Sequence, residues 1–223
     1  TTLILSYPIE VIGLNADVIA NGVGTMASST TNDVDGVNFI FISEDWKLTE
    51  GSPDAPVGLP ENGIVNSSLE GVFYQMSPFA TPYEGNNSLR IESTGASGDL
   101  EFLTPAPYEA LYFLVTSGSG SSNVTIQVNF IDDTSQSFNS IAISDWYNGN
   151  PFEAAGFGRG SLNDNNLETP FNNPRLYRLT TSISEANQTK AITSVTVTKN
   201  SGGVVNVFAI TGKSGNPCLA PTD

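Results

Sequence analysis

Histidine is absent from this 223-residue chain, and cysteine occurs once, at Cys218. The first absence removes the side chain most often used as a general base and as a transition-metal ligand. The second excludes any disulfide within the chain, although a chain of this length buries enough surface to fold without one. Cations are scarce too: 8 Lys and Arg stand against 23 Asp and Glu, a formal net charge of −15. Such a surface repels nucleic acid and anionic membranes, because both need phosphates neutralised by Lys or Arg. Polyanionic glycans are disfavoured for the same reason, unless a metal ion bridges the charges. Charged residues of both signs make up only 14% of the chain, so Ser, Thr, Asn and Gln must supply the polar surface. That suits strands and loops better than helices, whose solvent faces are normally coated with Glu, Lys and Arg. No apolar run approaches the length of a membrane span. The chain opens at Thr1 and not at Met, so it is expected to be processed or to be a piece of a longer protein, with no signal peptide remaining.

What is present is alternation. Val124-Thr125-Ile126-Gln127-Val128-Asn129-Phe130 puts apolar side chains on one face and polar ones on the other, as a half-buried strand requires, and Ser194-Val195-Thr196-Val197-Thr198 does the same. Further strands are expected at 38–43, 72–76, 88–92, 100–103, 110–116, 137–143, 176–181 and 204–210. All are rich in β-branched and aromatic residues and separated by Gly, Pro, Asn, Asp or Ser clusters. The Asp132-Asp133 segment predicts a hairpin turn between 124–130 and 137–143. One helical turn is expected at 184–190 and another at 107–110, and neither carries a helical apolar stripe. With hydrophobic residues at 39%, enough for a real core, these elements predict an all-β, two-sheet antiparallel β-sandwich (jelly roll) over residues 1–212. Residues 213–223 have linker composition and are expected to lead into a truncated next module. Two long Pro-, Gly- and Asn-rich loops, 43–68 and 148–174, interrupt the strands, and loops of that length tend to be functional.

Several segments carry a family resemblance. They are Gly13-Leu14-Asn15-Ala16-Asp17-Val18-Ile19-Ala20, Asp33-Val34-Asp35-Gly36-Val37-Asn38, Leu59-Pro60-Glu61-Asn62-Gly63 and Asn87-Ser88-Leu89-Arg90-Ile91, followed by Ser144-Asp145-Trp146-Tyr147, Gly156-Phe157-Gly158-Arg159, Asn173-Pro174-Arg175-Leu176-Tyr177 and Asn206-Val207-Phe208-Ala209-Ile210. Together they resemble a galactose-binding-like jelly-roll module of large surface and secreted proteins in bacteria that use the type IX secretion system. The resemblance implies an extracellular or cell-surface location, neighbouring modules on the same polypeptide, and the habit of such jelly rolls of binding glycans and calcium. Fold does not fix function, so the last step is analogy.

Two constellations carry candidate chemistry. Asp33 and Asp35, two apart with Gly36 allowing a sharp bend, can point carboxylates at one Ca²⁺, with Asn15 and Asp17 completing the site if the fold brings them near. The same residues are also ordinary turn formers. The second comprises Asp145, Trp146, Tyr147, Arg159, Asn172 and Arg175. A sugar site needs an aromatic platform and a few directed hydrogen bonds, which Trp146 or Tyr147 and the Arg and Asn side chains provide. Beside that stands a structural alternative: Trp146 caps the core and Asp145 pairs with Arg175 or Arg159 to pin the loop. Trp46, Phe73, Tyr74, Phe79 and Tyr83 form a weaker aromatic group that either closes one end of the sandwich or binds.

Catalysis has little support. Nucleophilic chemistry lacks its usual base; a two-carboxylate hydrolase needs only a pair among the 23 acidic residues, Glu92, Glu101 and Glu153 being examples, but no pair has a special spacing. Asn-x-Ser/Thr triplets at Asn66, Asn86, Asn123 and Asn187 are expected by chance in so Ser/Thr/Asn-rich a chain. The expected function is therefore a non-catalytic extracellular carbohydrate-binding or adhesive module whose partner is a glycan or cell-surface polysaccharide, with calcium as a structural ion. A spacer or stalk module with no ligand of its own is the alternative.

Overall fold

The alternating and continuous apolar runs become strands throughout residues 5–215, which the computed structural model of the chain describes. In chain order these are β1 (Ser6–Ile9), β2 (Val11–Ile12), β3 (Ile19–Ala20), β4 (Phe39–Ile42), β5 (Ile64–Asn66), β6 (Phe73–Gln75), β7 (Leu89–Ile91) and β8 (Ser97–Ala106). They continue with β9 (Ala110–Phe130), β10 (Ser135–Ile143), β11 (Ala154–Ala155), β12 (Arg159–Ser161), β13 (Leu167–Glu168), β14 (Arg175–Ser182) and β15 (Ile192–Lys213). The turn expected at 184–190 is a 3₁₀ turn at Glu185–Asn187, whereas 107–110 is a plain connection from β8 to β9. A one-turn helix, α1 (Met26–Ser29), was not expected: only Met26 is buried, and a single turn leaves no periodic trace in sequence. Among the described residues no helix is long and apolar enough to cross a membrane.

Two strands organise everything. The segments at 110–116 and 124–130 are one strand, β9, and those at 194–198 and 204–210 are one strand, β15. The Ser-Gly tract 117–122, which looks like a turn, is instead a bend within β9. It holds Ser119 and Gly120 at positive φ (55° and 109°), opposite register shifts at Lys199/Ser201 and Gly202/Val204 in β15. Bulges of this kind turn a strand without ending its ladder. β9 and β15 pair antiparallel from Ile192↔Phe130 to Lys213↔Ala110. On one side of the bend the ribbon is flanked by β8 with β2 and by β10; on the other it is flanked by β7, β1, β14 and β11. Side chains from both halves enter one core, with Val124, Ile126, Val128, Val195 and Val197 joining Leu111, Phe113, Val115, Val205 and Val207. This is an all-β antiparallel sandwich.

The second half of the ribbon is also covered on its outer face. Tyr112, Leu114, Phe208 and Leu176 pack there against Val18, Ile19, Phe41, Leu59, Tyr74, Met76, Tyr83 and Trp146. The covering layer is the small sheet β13-β12-β4-β3, whose β3–β4 pair is parallel, with the β5–β6 hairpin. Burial in β9 records the difference: residues 110–118 are all buried, whereas 124–130 alternate. Buried polar side chains tie the layers together. Asn206 Nδ2 donates to Val34 O (2.8 Å) and Thr211 Oγ1 to Phe73 O (2.7 Å), while within the large sheet Thr116 Oγ1 donates to Arg175 O (3.0 Å). Lys213, placed in the linker by sequence, still pairs with Ala110 in the sheet, while Cys218 and the rest of that expected linker from residue 216 onward lie outside the described residues.

Candidate functional site

Several loops converge on the bend of β9. The 33–38 turn packs on it so closely that a Cβ at Gly118 would lie 2.5 Å from Asp35 Cα. The 144–147 strap runs beside it: Ser117 N donates to Ser144 O (3.2 Å) and Trp146 N to Ser117 O (2.8 Å). Asp145 organises this strap, its carboxylate accepting from Gly120 N (2.6 Å) and Tyr147 N (2.8 Å). The ion pair between Asp145 and Arg159 or Arg175, expected on the structural alternative, does not form. Both Asp145 oxygens accept from backbone N–H groups, while the two arginines are held by other oxygens.

Arg159 opens β12 and pairs instead with Glu168, through Nε and Nη2 at 2.8 Å each. Its guanidinium carbon lies 3.8 Å from the Phe39 ring centroid and 4.6 Å from that of Tyr147, a cation–π stack. Trp146 is only 2% exposed and meets Phe41 edge-on at 5.4 Å. It therefore offers no open face to a sugar, and the platform expected of it is corrected. Tyr147 is half-buried; burial pushes its phenol above the ordinary range, and its hydroxyl has no hydrogen-bond partner among the described residues. Trp46 and Tyr83 are buried as well, whereas Phe79 is half-buried.

Arg175 clamps two loops. Its Nε donates to Asn172 O (2.8 Å) and its Nη1 to Gly149 O (2.6 Å) and Asn150 Oδ1 (3.3 Å), while the guanidinium covers Phe152 at 4.6 Å. Asn148 N donates to Asn173 Oδ1 (3.1 Å), and Asn173 Nδ2 to Asn148 Oδ1 (3.2 Å). The fold thus brings Asp145, Trp146, Tyr147, Arg159, Asn172 and Arg175 into one neighbourhood. At its surface stands a residue that sequence reasoning missed: Phe171, 91% exposed. The available signal was Pro170-Phe171-Asn172-Asn173-Pro174, an aromatic held between prolines in an Asn-rich loop with no strand alternation around it.

The residues expected to hold calcium do not fit it. Asp33 Oδ1 faces Arg90 Nη2 (2.7 Å) and Gly36 N (2.9 Å), and its Oδ2 accepts from Asn38 N (2.9 Å). Asp35 Oδ1 accepts from Val37 N and Phe39 N, closing the turn. Asn15 is spent on the backbone of Arg90, and Asp17 Oδ1 accepts from Asn87 Nδ2 (2.6 Å). A guanidinium already neutralises the carboxylate that would have led a Ca²⁺ cage, and among the described residues no three His, Cys, Asp or Glu side chains are grouped to hold a metal. The hydrolase candidates are separated. Glu92 pairs with Arg90, Glu101 is exposed on β8, and Glu153 is buried against Arg178.

Asp17 makes a prediction of its own. Burial, only partly offset by the Asn87 and Ile19 hydrogen bonds, raises its pKa from 3.8 to about 6. The folded state therefore holds this proton more tightly than the unfolded chain does. The resulting stabilisation is complete below about pH 4 and is lost as pH rises through about 6. Asp17→Asn keeps an acceptor for Asn87 without the charge, so unfolding at pH 8 should become harder by on the order of 2 kcal/mol. Denaturant titrations at pH 4 and pH 8 check this; an Asp17→Asn variant less stable at pH 8 than the parent chain would refute it.

No protein-family model and no curated protein sequence matches the chain. Among solved structures it is similar to CBM29-2, a family 29 carbohydrate-binding module, at 11% identity and a TM-score of 0.33, over 68% of this chain and 84% of that one. It is also similar to the enzymatically active domain of tailspike protein 4 of bacteriophage CBA120, at 14% identity and a TM-score of 0.26, over 68% of this chain and 17% of that one.

Proposed function

We propose that this chain is a non-catalytic carbohydrate-binding module of a secreted or cell-surface protein, and that its ligand is a neutral glycan. The observation that carries it is Phe171, an aromatic ring 91% exposed on a loop whose base is clamped by Arg175 and by the Asn148–Asn173 amide pair. A ring kept in water yet held by a braced loop is suited to stacking on the apolar face of a sugar, with the amide of Asn172, next in the chain, for hydroxyl groups. Bracing matters because a loop already ordered loses little entropy on binding.

Charge supports the neutral ligand class. All eight basic side chains are engaged within the chain. Lys47, Arg90, Arg159, Arg178, Lys190 and Lys213 form ion pairs, Arg175 donates to carbonyls, and Lys199 donates to Glu92 O. None remains to attract an anionic polymer, and the surplus carboxylates repel one. The spacer reading is favoured by one observation, the burial of Trp46, Trp146 and Tyr83.

Binding of the purified chain to an array of neutral plant, fungal and bacterial polysaccharides separates the two. Saturable binding that is unaffected by EDTA and little changed by salt supports the module. A blank array from a folded sample supports the spacer.

A further inference from the structure

The Asp33-Val34-Asp35-Gly36 turn, unfit for calcium, borders a groove that is separate from Phe171. The groove encloses about 330 Å³ between α1 and the 33–38 turn, with Ala27 and Leu162 supplying apolar surface and Thr31, Asn32, Asp33 and Asn38 the polar walls. Its walls are fixed from behind. Asp17 O accepts from both Thr31 N (2.9 Å) and Asn32 N (3.0 Å), and Arg90 holds Asp33 through Nε on its carbonyl (2.6 Å) and Nη2 on Oδ1 (2.7 Å).

Among the described residues, the polar side chains that line the groove retain unused capacity. Thr31 Oγ1 accepts from Asp17 N (2.9 Å), which leaves its O–H free to donate. Asn32 Oδ1 accepts from Asp33 N (3.2 Å), which turns its NH₂ group toward other partners. Asp33 Oδ2 takes one N–H, from Asn38, and keeps a second acceptor position. Preorganised donors beside a carboxylate acceptor, next to a small apolar surface, match vicinal hydroxyl groups and the C–H face of a pyranose ring. A groove of about 330 Å³ is large enough to seat one sugar ring.

We propose that this groove is a second saccharide site, which takes one neutral sugar ring independently of Phe171. Thr31 and Asn32 donate to ring hydroxyls, Asp33 accepts from one, and Leu162 packs on the ring. Two separate sites on one module would let it hold a branched or repeating glycan by avidity, each contact being weak alone.

Amide-resolved NMR titration of the whole chain with D-glucose, D-galactose and D-mannose tests it. Saturable shifts are expected at Thr31, Asn32 and Asn38 with at least one sugar, and a dissociation constant on the order of 1 mM. Asn32→Ala, an exposed position, should weaken this binding about tenfold, a typical loss for one hydrogen-bonding group. Leu162→Ala, which removes the apolar surface that packs on the ring, should weaken it as well. The spectrum itself reports whether each variant folds, and one folded variant suffices. In Phe171→Ala these shifts should persist, so loss of the Phe171 site and loss of the groove are told apart. The proposal is overturned if no sugar moves these amides saturably, if the shifts survive in a folded groove variant, or if calcium and not sugar moves them.

Discussion

Phe171→Ala is expected to lower affinity for a neutral polysaccharide by about 30-fold or more, roughly 2 kcal/mol, the scale of an aromatic hot spot. The melting temperature should stay unchanged, because a ring that is 91% exposed contributes almost nothing to the core. Phe171→Tyr or Phe171→Trp retains a stacking face and should recover most of the loss, which a purely structural role would not predict. Arg175→Ala should weaken binding too, by another route. It removes the donors that hold Asn172 O, Gly149 O and Asn150 Oδ1, so the platform becomes mobile and the entropy of ordering it returns to the binding step. Its signature is lost loop order alongside lost affinity, whereas Phe171→Ala loses affinity alone. Isothermal titration of the four variants, with amide exchange in loops 148–152 and 170–174, checks the set. A Phe171→Ala protein with unaltered affinity sinks the platform.

Glu153→Ala should be among the most damaging single changes to stability, at about 3 kcal/mol. The Glu153 side chain is only 4% exposed, and its two oxygens serve four contacts: Arg178 Nη1 at 3.0 Å, Ser67 Oγ at 2.6 Å, Ser68 N at 2.7 Å and Ser68 Oγ at 3.1 Å. These join the segment before β11 to the residues that follow β5. Truncation strands the Arg178 guanidinium without its counter-charge and leaves the Ser67 and Ser68 donors unpaired. Glu153→Gln keeps an acceptor oxygen and should cost about half as much. The double variant Glu153→Met/Arg178→Met should recover much of the loss, since a buried ion pair replaced by apolar side chains is often close to neutral. Urea unfolding of the single and double variants reads the coupling directly. A fall of less than about 1 kcal/mol for Glu153→Ala would show that the pair is solvated like a surface bridge.

The candidate site was partly legible in sequence, and the pattern of misses has one cause. Asp145, Arg159, Asn172 and Arg175 stand out in sequence because two of the chain's eight basic residues flank one long polar loop, and the fold brings the four together. Their partners were not found. Arg159 chose Glu168, and Arg175 chose carbonyls, according to which oxygen the folded backbone brought within reach. Asp33 looked like a metal ligand because Arg90, 57 residues away, is invisible to a local reading of the turn. Trp146 and Phe171 exchanged roles for a similar reason. Composition says that an aromatic is present, but only the segment lying over it decides whether it is covered, and Phe41 from β4 covers Trp146 while none of the described residues covers Phe171.

Sequence by itself located most of the longer strands and the dearth of helix, but not β1–β3, nor β5 and β11–β13, which lie in stretches that read as long loops. Residues 110–116 are a nearly unbroken apolar run and are buried on both faces, whereas 124–130 alternate and are buried on one. Side-chain direction in a strand repeats every two residues, so it is written locally and can be read locally. Tertiary structure alone decided that the Ser-Gly tract bends β9 instead of ending it, which carboxylate meets which cation, and which aromatic stays in water. Those outcomes depend on contacts between distant segments, and no short window of sequence contains both partners.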